Sequence, residues 1–176
     1  MSILYIDAFS GISGDKTVAA LLDLSDNFNF LETELKKLHI HDEYKISLET
    51  KIVNGISSKY FNVEINNHDL QDHHHDHRNL NDINQIIEQS SITNRAKEIS
   101  KGIFLIIANA EAKVHNKPLN EVHFHEVGAT DSIIDIVSVG ILVDKLNITE
   151  IKSNKIPLGN GFVNFNDEVY ITKKHI

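Results

Sequence analysis

Between His123 and Ile136 the chain gathers His123, His125, Glu126, Asp131 and Asp135. Imidazole and carboxylate are donors that hold hard to borderline divalent cations, and either can take a proton from a reacting group. In extended backbone, residues two apart share a face, so the imidazoles of His123 and His125 converge while Phe124 packs the other way. Gly128 breaks this run, and Thr130 or Asp131 caps a helix whose apolar body is Ile133 to Leu146. Asp131 and Asp135, four apart, lie on one face of that helix. On a plainer reading Asp131 is only a cap, a role that contributes roughly 0.5–2 kcal/mol, and the two histidines are surface residues of an edge strand. Asp135 resists that reading. Its neighbours are Ile133, Ile134, Ile136 and Val137, and a carboxylate buried in such a run needs a partner, a cation or a shifted pKa.

A second stretch with chemical potential lies near the start. Ile3 to Ile6 is a short apolar strand with Asp7 at its end, and Ala8-Phe9-Ser10-Gly11-Ile12-Ser13-Gly14-Asp15 is a loop of mostly small residues leading to a helix over Thr17 to Leu24. Strand, glycine-bearing loop and helix start form an anion cradle of backbone N–H groups, to which Ser10 and Ser13 add hydroxyl donors. The pattern is neither a Walker loop nor a dinucleotide fingerprint, and a simple tight turn fits it as well. Asp7 and Asp15 flank the loop at a place suited to a metal or sugar contact.

The elements that must position these residues follow from periodicity. Leu31, Leu35 and Leu38 form one stripe of a helix over Phe30 to Leu38. Tyr44 to Glu49 alternates, Lys51-Ile52-Val53 continues it, Asn54-Gly55 signals a turn, and Tyr60 to Ile65 alternates again, so this segment is a hairpin. Asn67 to Arg78 carries His68, His73, His74, His75 and His77 among acidic residues. It is expected to be a mobile loop, either a disordered insert or a loose gatherer of Ni, Zn or Cu. A short helix follows over Leu80 to Ile87, then a longer one capped by Thr93. Near its end Glu111 and His115 are four apart, as a surface pair or as a further wall of the site. Pro118 ends that segment. After the central motif, Glu150 to Ile156 reads as a strand, and Pro157-Leu158-Gly159-Asn160-Gly161 as a glycine loop. The expected class is α/β, with a small mixed sheet, packed helices and a helical segment carrying the His/Asp motif.

The chain has 176 residues, the length of a single domain, and 41% hydrophobic residues, enough for a core. A formal net charge of -8 offers no basic face for nucleic acid or an anionic membrane. With no cysteine there are no disulfides, thiolate ligands or cysteine nucleophile, and soft donors to a metal must come from a substrate. Ile3 to Ile6 is too short for a signal peptide, and no apolar run approaches the ~20 residues of a membrane span. The cytoplasm is the default location, and a homo-oligomer is compatible with the sequence.

Four segments, in order, resemble the nickel-insertion protein family of lactate racemase maturation (LarC): Asp7 to Asp15, the His-rich loop before Leu80, His123 to Asp135, and Pro157 to Gly161. The resemblance covers nearly the whole chain and corresponds to the N-terminal part of the family. It implies a CTP-dependent cyclometallase of the lyase class, using Mg(II) or Mn(II) with CTP. Such an enzyme inserts Ni(II) into pyridinium-3,5-bisthiocarboxylic acid mononucleotide to give a pincer cofactor with two Ni–S bonds and one Ni–C bond. Forming a Ni–C bond requires removal of a ring proton, and hence a base near the cation. On this basis His123 and His125, with Asp7, are expected to hold nickel, and the base is Glu126, Asp131 or Asp135. Ser10, Gly11, Ser13, Gly14 and Asp15 would take the substrate's phosphate. Lys16 stands where the family usually has Met, and residues 164–176 do not follow the family's His-Gly and Pro-Ala-rich continuation. The chain therefore resembles a first-half product, a frameshifted reading or a truncated form without the C-terminal nucleotide-binding domain, expected to bind metal or substrate without completing the reaction. A separate C-terminal half would then be a partner. Two other functions fit the residues: a non-catalytic nickel carrier built on the His tract, and a metal-dependent phosphate-ester hydrolase using Asp7, Asp15 and the His123 cluster.

Overall fold

The computed structural model describes residues 2–66, 78–122, 124, 127–157, 162–165 and 168–171. In chain order its elements are β1 (Ser2–Ile6), α1 (Gly14–Asp23), α2 (Phe28–Leu35), β2 (Tyr44–Val53), β3 (Ile56–Ile65), α3 (Leu80–Gln89), α4 (Asn94–His115), a 3-10 turn (Leu119–Glu121), α5 (Thr130–Lys145), β4 (Ile148–Ser153), β5 (Phe162–Phe165) and β6 (Glu168–Ile171). They fall into two compact units, residues 14–147 and residues 1–13 with 148–176.

The larger unit is organised around α5, which packs on α1, α2, α4 and β3. Its run of Ile133, Ile134, Val137, Ile141 and Leu142 is buried, at roughly 1.5–3 kcal/mol per large side chain removed from water. This explains a helix that is apolar over most of its circumference. The elements packed on it contribute Val18, Leu21 and Leu22 of α1, Leu31 and Leu35 of α2, Phe61 of β3, and Phe104 and Ala108 of α4, all buried. Ile83 and Ile87 of α3, also buried, lie on the helix that packs against α4. Helix α3 opens with a reciprocal capping box between Asn79 and Asp82, and α4 with Thr93, whose hydroxyl accepts from the Ala96 N–H at 3.1 Å. The expected hairpin is present. β2 and β3 pair antiparallel from Tyr44↔Ile65 to Val53↔Ile56, and Asn54 and Gly55 both take positive φ, the twist-matched two-residue turn.

In the smaller unit β1 and β4 pair in parallel, from Ser2↔Ile148 to Ile6↔Ser153. β5 and β6 form an antiparallel pair. The α/β class is borne out. Parallel and antiparallel pairings both occur, among the described residues in three separate two-stranded sheets. The first helix spans Gly14–Asp23 rather than starting at Thr17, the helix expected over Phe30 to Leu38 spans Phe28–Leu35, and the strand expected over residues 150–156 spans Ile148–Ser153. Among the described residues no helix is long and apolar enough to cross a membrane. The His-rich tract up to residue 77 and the glycines of the 157–161 loop lie outside the described residues.

Candidate carboxylate site at the start of α5

In the larger unit the end of the N-terminal loop and the central motif come together. Gly14 opens α1 directly against Asp135 of α5. A Cβ at Gly14 would stand 2.6 Å from Asp135 Oδ2 and 2.7 Å from its Cβ, so only glycine lets the two helices close at this point. The backbone N–H of Asp15 donates to the Asp135 carboxylate, and the Asp15 and Asp131 side chains add negative charge around it. Asp135 Oδ1 is buried and has no hydrogen-bond partner. Burial first, then Asp15, then Asp131, push the Asp135 carboxyl up to about 7, against the single opposing hydrogen bond from Asp15. Such a group exchanges a proton near neutral pH, as a general acid or base requires. Asp131 is exposed, and its Oδ1 accepts from the Ser132 N–H at 2.8 Å.

The first turn of α5 corrects one expectation. Neither Thr130 nor Asp131 caps the helix. Its N-cap is Ala129, without a side-chain hydrogen bond. Thr130 is engaged elsewhere: its hydroxyl accepts from Arg78 Nη1 at 2.9 Å and donates to Glu43 Oε2 at 2.7 Å. Arg78 Nη2 in turn reaches both Glu43 oxygens at 2.8 Å. Sequence reasoning missed this cluster, which joins three distant segments and has no local pattern.

Asp7 lies in the smaller unit at the end of β1, exposed. Its Oδ1 accepts from Asn154 Nδ2 at 2.5 Å, and Asn154 Oδ1 accepts from the Ala8 N–H at 2.9 Å. The amide of Asn154 thus holds both the strand end and its carboxylate, a role that sequence reasoning also missed. The turn after β1 is closed by the Gly11 N–H donating to the Ala8 carbonyl at 3.0 Å. In that turn Ser10 is exposed and Ser13 half-buried. His123, His125 and Glu126 lie outside the described residues. Val122 and Phe124, on either side of His123, are both buried, and the Phe124 ring lies 6.2 Å from that of Phe104. His115 and Glu111 form an i,i+4 pair at 3.2 Å, with His115 exposed and Glu111 half-buried, which matches the surface-pair reading. Among the described residues no three His, Cys, Asp or Glu side chains converge as a metal site.

The larger unit is built around one buried helix, α5, with an unpartnered carboxylate oxygen where that helix meets α1. The chain belongs to the nickel insertion protein family, whose model matches residues 4–171. It is 46% identical over 166 residues to a pyridinium-3,5-bisthiocarboxylic acid mononucleotide nickel insertion protein of Acetivibrio thermocellus, covering 93% of this chain and 40% of that protein. The protein of the same name from Clostridium kluyveri is 44% identical over 169 residues, 93% of this chain and 42% of its own length. That from Lactiplantibacillus plantarum is 43% identical over 178 residues, again 93% and 42%. The chain thus spans about two fifths of the length of these curated relatives. No solved structure matches it.

Proposed function

We propose that this chain takes part in inserting Ni(II) into pyridinium-3,5-bisthiocarboxylic acid mononucleotide, and that Asp135 is the base of that reaction. The substrate is the one named for its relatives, and the observation that carries the role of Asp135 is its buried, unpartnered Oδ1 at a group whose pKa sits at about 7. In the proposed step the ring carbon between the two thiocarboxylates gives its proton to the Asp135 carboxylate, and the C–H electron pair becomes the bond to Ni(II). The substrate's sulfurs complete the pincer, which suits a chain without cysteine. Nickel is a substrate in this scheme. His123 and His125 are assigned to it by donor chemistry, and Gly14, at the start of α1, to the phosphate by the N–H groups of a helix start. Asp131, exposed beside Asp135, serves to keep the base's proton affinity high. CTP, its Mg(II) or Mn(II), the lyase chemistry and a place in lactate racemase maturation are part of the proposal at the level of the family, and no residue of this chain is assigned to them.

The test separates ligand from base. His123→Ala with His125→Ala is expected to abolish tight Ni(II) binding by calorimetry, while Asp135→Asn leaves the affinity within about threefold, since a base need not touch the cation in the ground state. Unchanged nickel affinity in the double histidine variant would refute the ligand assignment.

A further inference from the structure

Helix α5 must begin in a fixed place for Asp131 and Asp135 to meet Asp15, yet its N-cap residue, Ala129, supplies no side-chain hydrogen bond to the first turn. What fastens that turn is the closed cluster of Glu43, Arg78 and Thr130, residues 35, 52 and 87 apart in pairs. The Thr130 hydroxyl makes two bonds in it, accepting from Arg78 and donating to Glu43. The Arg78 side chain is only 14% exposed, and hydrogen bonds of this charge-assisted kind are roughly twice as strong as neutral ones. The backbone takes part as well. A Cβ on Gly128, two residues before the helix, would come within 2.8 Å of the Arg78 carbonyl oxygen and 3.1 Å of Phe124 Cβ. The turn into α5 is therefore pressed against the same arginine that holds its first side chain.

We propose that Glu43, Arg78 and Thr130 are positioning residues for the candidate site: they set the start of α5 and thereby the approach of Asp131 and Asp135 to Asp15. The proposal rests on the reading of Asp135 as the working carboxylate, but its test does not depend on turnover. Thr130 stands five residues from Asp135, more than one helical turn away, so the cluster acts through the helix and not by contact with a reacting group.

The experiment is a carboxyl-carbon NMR titration of the chain labelled with 13C-aspartate, comparing wild type, Thr130→Val and Thr130→Ser. The groups that set the Asp135 midpoint are Asp15 on α1 and Asp131 on its own helix, besides burial. Thr130→Val keeps the side-chain shape and removes both hydrogen bonds, so the first turn is freed and the midpoint is expected to fall by about one pH unit toward the ordinary aspartate range. Thr130→Ser restores the hydroxyl and is expected to restore the wild-type midpoint. Glu43→Gln, which keeps size but removes the charge opposite Arg78, is the second variant should Thr130→Val not fold, with the same expected direction. A cluster that merely adds stability would lower the melting temperature without moving the midpoint, and an unmoved midpoint in a folded Thr130→Val or Glu43→Gln protein overturns the proposal. The reading of Asp135 as base stands or falls separately, on the reactivity of Asp135→Asn.

Discussion

Asp135 binds its proton more tightly in the folded chain than an ordinary aspartate does, because folding buries it and sets Asp15 and Asp131 beside it. With a folded value of about 7 against an ordinary 3.8, the native state holds a proton that the unfolded state has released over most of the interval between them. The stability linked to this group is fully present below the unfolded value and is lost as pH rises through about 7. Asparagine carries no such charge. Asp135→Asn is therefore expected to melt higher than wild type, with an advantage that is small near pH 4 and grows to pH 8. An advantage independent of pH, in thermal melts at the two values, would contradict the assigned protonation. This residue was legible in the sequence because four aliphatic neighbours surround a carboxylate. Asn154 and the Glu43–Arg78–Thr130 cluster were not, since each is a lone polar residue whose partner lies tens of residues away or more.

At the scale of elements, periodicity and turn chemistry carried most of the information. Alternation with Asn54-Gly55 identified the β2–β3 hairpin, and the Thr93 cap with the following stripe identified α4. The cap of α5 was misjudged for a specific reason. Thr130 has the right residue type for an N-cap, worth about 1 kcal/mol, but its hydroxyl is held by two stronger charge-assisted bonds one position into the helix. The fit of α5 against α4 was equally invisible. Gly140 faces Ser100 of α4, and a Cβ there would press on Ser100 Oγ and stand 2.9 Å from the Ala96 carbonyl oxygen. Gly140→Ala is expected to destabilise the chain by about 1–3 kcal/mol through overpacking. Gly102→Ala, on the outer face of α4 with nothing within 4 Å of the added carbon, is expected to stabilise it by roughly 0.5–1 kcal/mol through helix propensity. Melts in which both substitutions had the same sign would show that the α4–α5 contact is looser than these distances state.

For the molecule as a whole, the order of strands and helices was readable, but the partition of strands into sheets was not. A period of two marks a strand without naming its neighbour, and β1 finds its parallel partner β4 only after the entire larger unit has intervened. The β5–β6 pair was missed because each strand has four residues, too few for alternation to register. Within the larger unit Gly14 and Asp15 meet Asp135. The claim on which the functional account turns is that Asp135 takes the ring proton. Exchange of the pyridinium hydrogen between the two thiocarboxylates for deuterium, followed by mass spectrometry with the chain, Ni(II) and the mononucleotide in D2O, measures that step without requiring a finished cofactor. The account predicts exchange by the wild-type chain that rises through about pD 7 and drops at least ~100-fold in Asp135→Asn, with bound nickel unchanged. Exchange in Asp135→Asn at the wild-type rate would contradict it.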